Sequence, residues 1–395
     1  MNQSILKLNE IAVKKERLII GLMSGTSLDG LDIALIRING FGTQTLITLL
    51  AFETVSYTNE MKSDIKSICF VKAVDFEKVC LLNKAIGTLH AELINSFLSK
   101  NQYKAANIDL IASHGQTVYH APARLRAPDH IGNATFQIGD GDQIAVKTGI
   151  ITLSDFRQKN IAQGEEGAPL ALYGDYLLFN NVAENRILLN IGGIANFTVL
   201  AKGANFVDII STDVGPGNTI MDQFVQANFG DKFFDEDAEI ASKGVFNQNL
   251  IDELMKHPFF EQKFPKTTGP ELFNLLYFQN AMATLGIKVL TLEDSMATLN
   301  RFTALCIAKG VKKYFSENHL PVIYLSGGGT HNPLLVKNLK ELIPFAIFKD
   351  TSALGINPDA KEAILFAVLA NETVAGDYTV FSEKTLSMGK ISLPD

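Results

Sequence analysis

Short apolar runs recur along the chain, each bounded by glycine, asparagine or aspartate. Their enrichment in Ile, Leu and Val predicts strands at 18–22, 33–38, 46–52, 108–112, 150–153, 187–191, 196–200, 207–210 and 322–325. Between them the apolar spacing shifts to three and four residues. That shift predicts helices over 75–99, 219–228, 238–256, 271–286, 292–315 and 359–375. Within 292–315, Leu292, Met296, Leu299, Thr303, Cys306 and Ile307 fall on one helical face, which should lie against a core. Strands alternating with helices predict an α/β fold.

The pattern also repeats. "RLIIGLMSGTSLDGLDIALI" (17–36) is echoed by "RILLNIGGIANFTVL" (186–200), each running from Arg and three aliphatic residues through glycine into a second strand. A third strand-to-glycine turn stands at "VIYLSGGGTHNPLL" (322–335). Strand–glycine–strand units are common, so coincidence is the alternative to duplication. Duplication predicts two similar α/β domains facing one another across a cleft, a usual place for ligands. At 395 residues the chain exceeds the size a single core supports. No low-complexity linker intervenes, so the expected border is a short crossover near 150. This gives domains over 1–150 and 151–371, with 372–395 returning to the first.

Composition narrows the partners. A net charge of -7 argues against a nucleic-acid or anionic-membrane surface, which needs clustered Lys and Arg. A small anionic substrate remains compatible if basic groups gather locally. Cys69, Cys80 and Cys306 share no metal-ligand spacing and suit a reducing compartment. The first residues lack the apolar core of a signal peptide, and no run reaches membrane-spanning length. A cytoplasmic protein is expected.

Candidate chemistry sits in the turns. In "GLMSGTSLDGLD" (21–32), Gly25 and Gly30 leave backbone N–H groups unhindered, and Thr26 and Ser27 add hydroxyls suited to phosphate oxygens. Asp29 and Asp32 suit a hydrated Mg²⁺, which prefers hard oxygen ligands. No Gly-Lys-Ser or Gly-Lys-Thr follows, so this is not a Walker loop. In "STDVGPGNTIMDQF" (211–224), Asp213 precedes Gly215 and Gly217, and Asn218 is placed to cap a helix. Asp213 reads equally as a general base or a turn aspartate. His114, Gln116 and Thr117 in "ASHGQTVYH" suit hydrogen bonding to a sugar, or a capped loop. Arg157 in "SDFRQKN" suits a carboxylate or phosphate, or an internal salt bridge. Gly327, Gly328 and Gly329 would let a flat base approach the backbone. Glu362 stands in the first turn of the last helix, where the dipole alone favours it.

Together these motifs resemble the anhydro-N-acetylmuramic acid kinases, within the superfamily of acetate and sugar kinases, heat-shock chaperones and actin. The resemblance runs through "GLMSGTSLDGLD", "SHGQTVYH", "QIGDGDQIA", "DFR", "GAPL", "LNIGGIANFT", "DVGPGN" and "SGGGTHNPLL", in order and over nearly the whole chain. It implies two actin-like, ribonuclease H-like domains around a central cleft that closes on its reactants. It implies ATP and Mg²⁺, a phosphate hairpin over Gly25, Thr26, Ser27, Leu28, Asp29, Gly30, Leu31 and Asp32, and a second at Gly192, Gly193 and Asn196. Gly327, Gly328 and Gly329 become the adenosine site, and Asp29 holds the metal through water. Asp213 becomes the base and Glu362 a second catalytic carboxylate. His114, Gln116, Thr117, Arg157 and Asn218 become contacts to an amino sugar recovered from cell-wall turnover. Homodimerisation is implied too. The chain departs from the family pattern at Asn160, Glu165 and Glu166, where "DFRQKNIAQGEEGAPL" replaces an aspartate and a Gly-Gln pair. The alternatives are a kinase of the same fold acting on another sugar, and a nucleotide-responsive binding protein without turnover.

Overall fold

A computed structural model describes the chain except Met1, Thr26, Ser27, Asp29, 124–129, 168–169, Asp231, Pro358 and 378–386. It forms two compact units, Met1–Leu178 with Ile356–Asp395, and Phe179–Gly355. Unit 1 carries β1 (Glu16–Ser24), β2 (Gly30–Asn39), β3 (Leu46–Ser56), β4 (Leu110–Ala121), β5 (Ala134–Ile138) and β6 (Thr152–Ser154). Unit 2 carries β7 (Arg186–Ile191), β8 (Ile194–Leu200), β9 (Ile210–Pro216), β10 (Val322–Ser326) and β11 (Ile347–Asp350), and the chain ends with β12 (Lys390–Ser392) in unit 1.

The two sheets share one plan. In unit 1 the order is β12-β6-β4-β1-β2-β3, with β5 beside β4; in unit 2 it is β11-β10-β7-β8-β9. In each, the first strand pairs antiparallel with the second and parallel with the fourth. Each second strand pairs antiparallel with the third. This is the actin-like arrangement made twice, and the echo between 17–36 and 186–200 falls on its corresponding first hairpins.

Helices cover the sheets. They are α1 (Gln3–Val13), α2 (Asn59–Lys66), α3 (Phe76–Lys100), α4 (Gly141–Thr148), α5 (Gln158–Ala162), α6 (Ala171–Phe179), α7 (Thr219–Asn228), α8 (Gln248–Leu254), α9 (Leu275–Thr284), α10 (Leu292–Lys312), α11 (Pro333–Leu342) and α12 (Lys361–Ala375). Local capping sets their starts. The Asp75 side chain accepts from Lys78 N–H at α3, and Thr291 accepts from Asp294 N–H at α10. The face of α10 read from periodicity is buried, from Met296 through Ile307. Among the described residues no helix is long and apolar enough to cross a membrane.

The unit borders fall at 178/179 and 355/356, against the expected 150 and about 372. The reason is packing. After residue 150 the chain supplies β6, which pairs with β4, so it stays with the first sheet. α12 packs on β1, β2 and β4 of the first sheet, and at β1 Gly21 comes so close that a β-carbon would stand 1.9 Å from the Ala363 carbonyl oxygen. Gly21→Ala must force β1 and α12 apart, because the obstacle is backbone. Thermal unfolding should register a loss of about 1–3 kcal/mol or more.

Two predicted elements differ. The strand expected at 207–210 begins at Ile210, because Asn205 and Asp208 cap a tight 3-10 turn before it. The helix expected over 238–256 is short 3-10 turns followed by α8. There the Asp235 carboxylate draws the N–H groups of Ile240 and Ala241. Gly244 is packed so closely on α10 that its β-carbon would stand 2.1 Å from the Glu293 carbonyl oxygen.

Candidate functional site

Register brings the unit 2 motifs together. Ser326 lies opposite Asn190, Asn190 opposite Asn196, and Asn196 opposite Asp213. Directly paired residues share a sheet face, so four polar residues from three separate motifs form one row across β10, β7, β8 and β9. A bulge between Ala195 and Asn196 brings Asp213 into this row.

Glycines close in around it. The carbonyl of Gly193 accepts the N–H of Gly217 at 2.8 Å, and that of Gly192 accepts the N–H of Asn218 at 2.8 Å. A β-carbon on Gly217 would stand 2.2 Å from Gly192 O. After β10, Gly327 has φ +83° and its β-carbon would meet Asn190 Oδ1 at 2.6 Å, while one on Gly329 would meet the Ile191 side chain at 2.3 Å. Gly328 is open, with only the Asn218 amide near it. A side chain would therefore fill this cradle at Gly217, Gly327 and Gly329. Asn218 occupies the cap position of α7 but makes no capping bond with its side chain. The amide, expected at both the helix start and a sugar, instead lies against the turn at Gly328 and Gly329. Asp213 is half-buried, and one of its carboxylate oxygens accepts the Thr268 N–H at 2.9 Å.

In unit 1 the first hairpin joins β1 to β2, but Thr26, Ser27 and Asp29 lie outside the described residues. Leu28 leans on the core with φ +61°, a conformation that costs a branched side chain free energy. Leu31 is wholly buried and offers a ligand only its backbone. Gly30 is explained by the sheet, since a β-carbon there would stand 2.2 Å from Val55 O. The Asp32 carboxylate accepts from Thr54 Oγ1 at 2.6 Å. Burial and then Asp359 raise its pKa, against the Thr54 bond.

His114 and Gln116 are buried and already engaged. His114 Nδ1 lies 2.9 Å from Gly115 O, so it must donate, and the bare Nε2 accepts from Arg157 Nε at 3.1 Å. Burial, then the Arg157 charge, pushes this imidazole down to about 3. It stays neutral at physiological pH. Gln116 Oε1 accepts from Ser24 Oγ at 2.7 Å, and Ser24 in turn accepts from Tyr57 at 3.0 Å. Gln116 Nε2 reaches Gly25 O at 3.4 Å, so Gln116 steadies the first hairpin. Thr117 accepts from Gln137 through its hydroxyl.

Arg157 also donates from Nη1 to Gly167 O at 2.7 Å and interacts with the charge of Glu362. Glu362 keeps open surface, yet enough protein surrounds it for desolvation, then Asp32, to raise its pKa; Lys361 and Arg157 oppose this. Asn160, one of the departures, is buried, and its Oδ1 accepts the Gly167 N–H at 2.7 Å. A neutral amide fits that clip without a buried charge. Glu165 is exposed and Glu166 half-buried.

Three residues escaped sequence reasoning. Asp222, one helical turn beyond Asn218, is pushed up to about 6 by burial. Lys266 and Thr268, in "FPKTTGPEL", bond to β9 at Thr212 and Asp213. The lysine between two aromatic-rich stretches was the available signal.

A family model for anhydro-N-acetylmuramic acid kinase matches residues 17–387. Proteins of that name from Pseudoalteromonas atlantica and Pseudoalteromonas translucida are 51% and 49% identical, over 100% of both chains in each case. One from Caldanaerobacter subterraneus is 39% identical over 98% of this chain and 100% of its own.

Proposed function

Because the chain belongs to the anhydro-N-acetylmuramic acid kinase family, we propose that it couples hydrolytic opening of 1,6-anhydro-N-acetylmuramic acid to phosphorylation of O6 by ATP. The products are N-acetylmuramic acid 6-phosphate and ADP. What supports this most is the row from Ser326 to Asp213 beside the glycine turns, which puts a carboxylate and a cradle that side chains would fill on one sheet.

In this reading Asp213 takes a proton from water as the water oxygen bonds to C1. The C1–O6 bond breaks, and O6 attacks the γ-phosphorus of ATP. The bond to the β-phosphate oxygen breaks, ADP leaves, and Asp213 returns its proton to solvent. Gly192, Gly193 and Asn196 hold phosphates on unit 2, and Gly25 through Asp32 hold them on unit 1. Gly327, Gly328 and Gly329 take the adenosine, with Asn218 beside them. Arg157, oriented by His114, pairs with the lactyl carboxylate, while Glu362 and Thr117 complete the sugar contacts. We assign His114 and Gln116 to holding these groups in place, since their own polar atoms are engaged.

Asp32 and Glu362 sense one another's charge, and carboxylate oxygens suit a divalent cation by donor chemistry, although no group of three ligating side chains gathers among the described residues. Asp32, with Asp29, would hold Mg²⁺ through water, and the ion supplies charge compensation on phosphate oxygens. The reading places the enzyme in the cytoplasm with its ATP, as a homodimer needing neither nucleic acid nor membrane. The test is mass analysis of products after incubation with ATP, Mg²⁺ and the anhydro sugar in ¹⁸O-water. Sugar-dependent ADP release with one heavy oxygen on the sugar carries the proposal; ADP release that ignores the sugar ends it.

A further inference from the structure

Lys266 is an unusual core residue. Its side chain is nearly all buried, at 9% exposure, and no carboxylate lies within salt-bridge distance among the described residues. The ammonium donates to Phe259 O at 2.7 Å. It stands 3.8 Å from the centre of the Phe259 ring, 5.2 Å from Phe264 and 5.7 Å from Phe260. A methionine would fill an aromatic cage without the cost of desolvating a charge, so packing alone does not account for a lysine here.

The backbone around it supplies the reason. Lys266 N donates to Thr212 Oγ1 at 3.0 Å, and Lys266 O accepts from Asp213 N at 3.0 Å. Two residues on, Thr268 N donates to Asp213 Oδ2 at 2.9 Å. The caged ammonium anchors this stretch to the carbonyl and ring of Phe259, and the stretch delivers one N–H to one oxygen of the Asp213 carboxylate. That bond fixes the rotation of the carboxylate and favours its charged form.

We infer that Lys266 is a positioning residue for Asp213, acting through the Thr268 N–H. The inference rests on the reading of Asp213 as the base. The surroundings of the ammonium add a pH dependence. Burial, then Lys313, lowers it to about 8, with Lys309 contributing and Cys306 and Glu261 opposing. As it loses its proton the cation–π contacts weaken, so the anchor loosens above that pH.

The experiment compares Lys266→Met, Lys266→Arg and Phe259→Leu with the parent, measuring kcat against pH and KM for ATP. Lys266→Met should lose at least about tenfold in kcat, the scale of a misplaced catalytic group, with KM for ATP changed less than twofold. Its acidic limb should move to higher pH, because Asp213 has lost a donor to its charged form. The parent should decline above about pH 8. Lys266→Arg should lack that decline and keep more activity than the methionine variant. Phe259→Leu retains the backbone carbonyl and should shift the acidic limb the same way by less. It is judged by the same criteria should Lys266→Met fail to fold. A folded Lys266→Met enzyme with parental kcat and acidic limb, beside an inactive Asp213→Asn, overturns the inference. An Asp213→Asn enzyme that retains turnover instead brings down the reading of Asp213.

Discussion

Asp213→Asn should lose between about 10² and 10⁴ in turnover, the usual contribution of a positioned general base. The substitution is a narrow one. Asparagine keeps the shape and can still accept the Thr268 N–H that the aspartate accepts at 2.9 Å, so β9 and its neighbours should hold their places. What disappears is the capacity to take a proton. ATP affinity should change little, because the turns at Gly192, Gly193 and Gly327–Gly329 stand on other strands. In ¹⁸O-water the parent product should carry heavy oxygen at C1 and none in the transferred phosphate. Near-parental turnover in the asparagine variant, or label in the phosphate, would remove Asp213 from the role of base. The acidic limb of the parent rate profile should vanish with it, and the neutral His114 has no part in that limb. Its imidazole is held down to about 3 by burial and by Arg157, below the range where such an enzyme would be assayed.

The sequence carried the large periodic elements and the glycine turns well. The apolar face of α10, the limits of α7 and the three strand-to-glycine junctions were all legible, because each rests on local spacing and local turn chemistry. The shortest edge strands were not. β11 and β12 are four and three residues long and form only by pairing with distant partners, which no local pattern announces. The site divides in the same way. Asp213, Arg157 and the glycines stood out as residue types in unusual company. That His114 and Gln116 are buried braces is a tertiary fact, set by Arg157 and Ser24 reaching them from other segments. Lys266 was hidden for the converse reason. A lysine in a loop reads as solvated unless its neighbours are weighed; Phe259, Phe260 and Phe264 stand within seven residues of it, and the fold turns their rings onto the ammonium.

Gly217→Ala should impair nucleotide use with a second large effect. The position does not demand a left-handed backbone, so alanine is conformationally allowed there and space alone decides. A β-carbon would stand 2.2 Å from Gly192 O and 3.2 Å from Gly193 O. Those carbonyls accept the N–H groups of Asn218 and Gly217, and the obstacle is backbone with no side chain to swing aside. The hairpin turn must therefore move away from the start of α7. Hydrogen bonds to charged groups contribute about 1.5–3 kcal/mol each, so misplacing even one phosphate contact should lower kcat/KM for ATP by roughly 10- to 150-fold. The sugar should still bind, since Arg157 and His114 belong to unit 1. Isothermal titration with ADP and with the anhydro sugar separates the two. Weakened ADP binding with sugar binding kept is the expected pair of results. Parental ADP affinity in a folded Gly217→Ala enzyme would show that the Gly192–Gly193 turn does not hold the nucleotide phosphates.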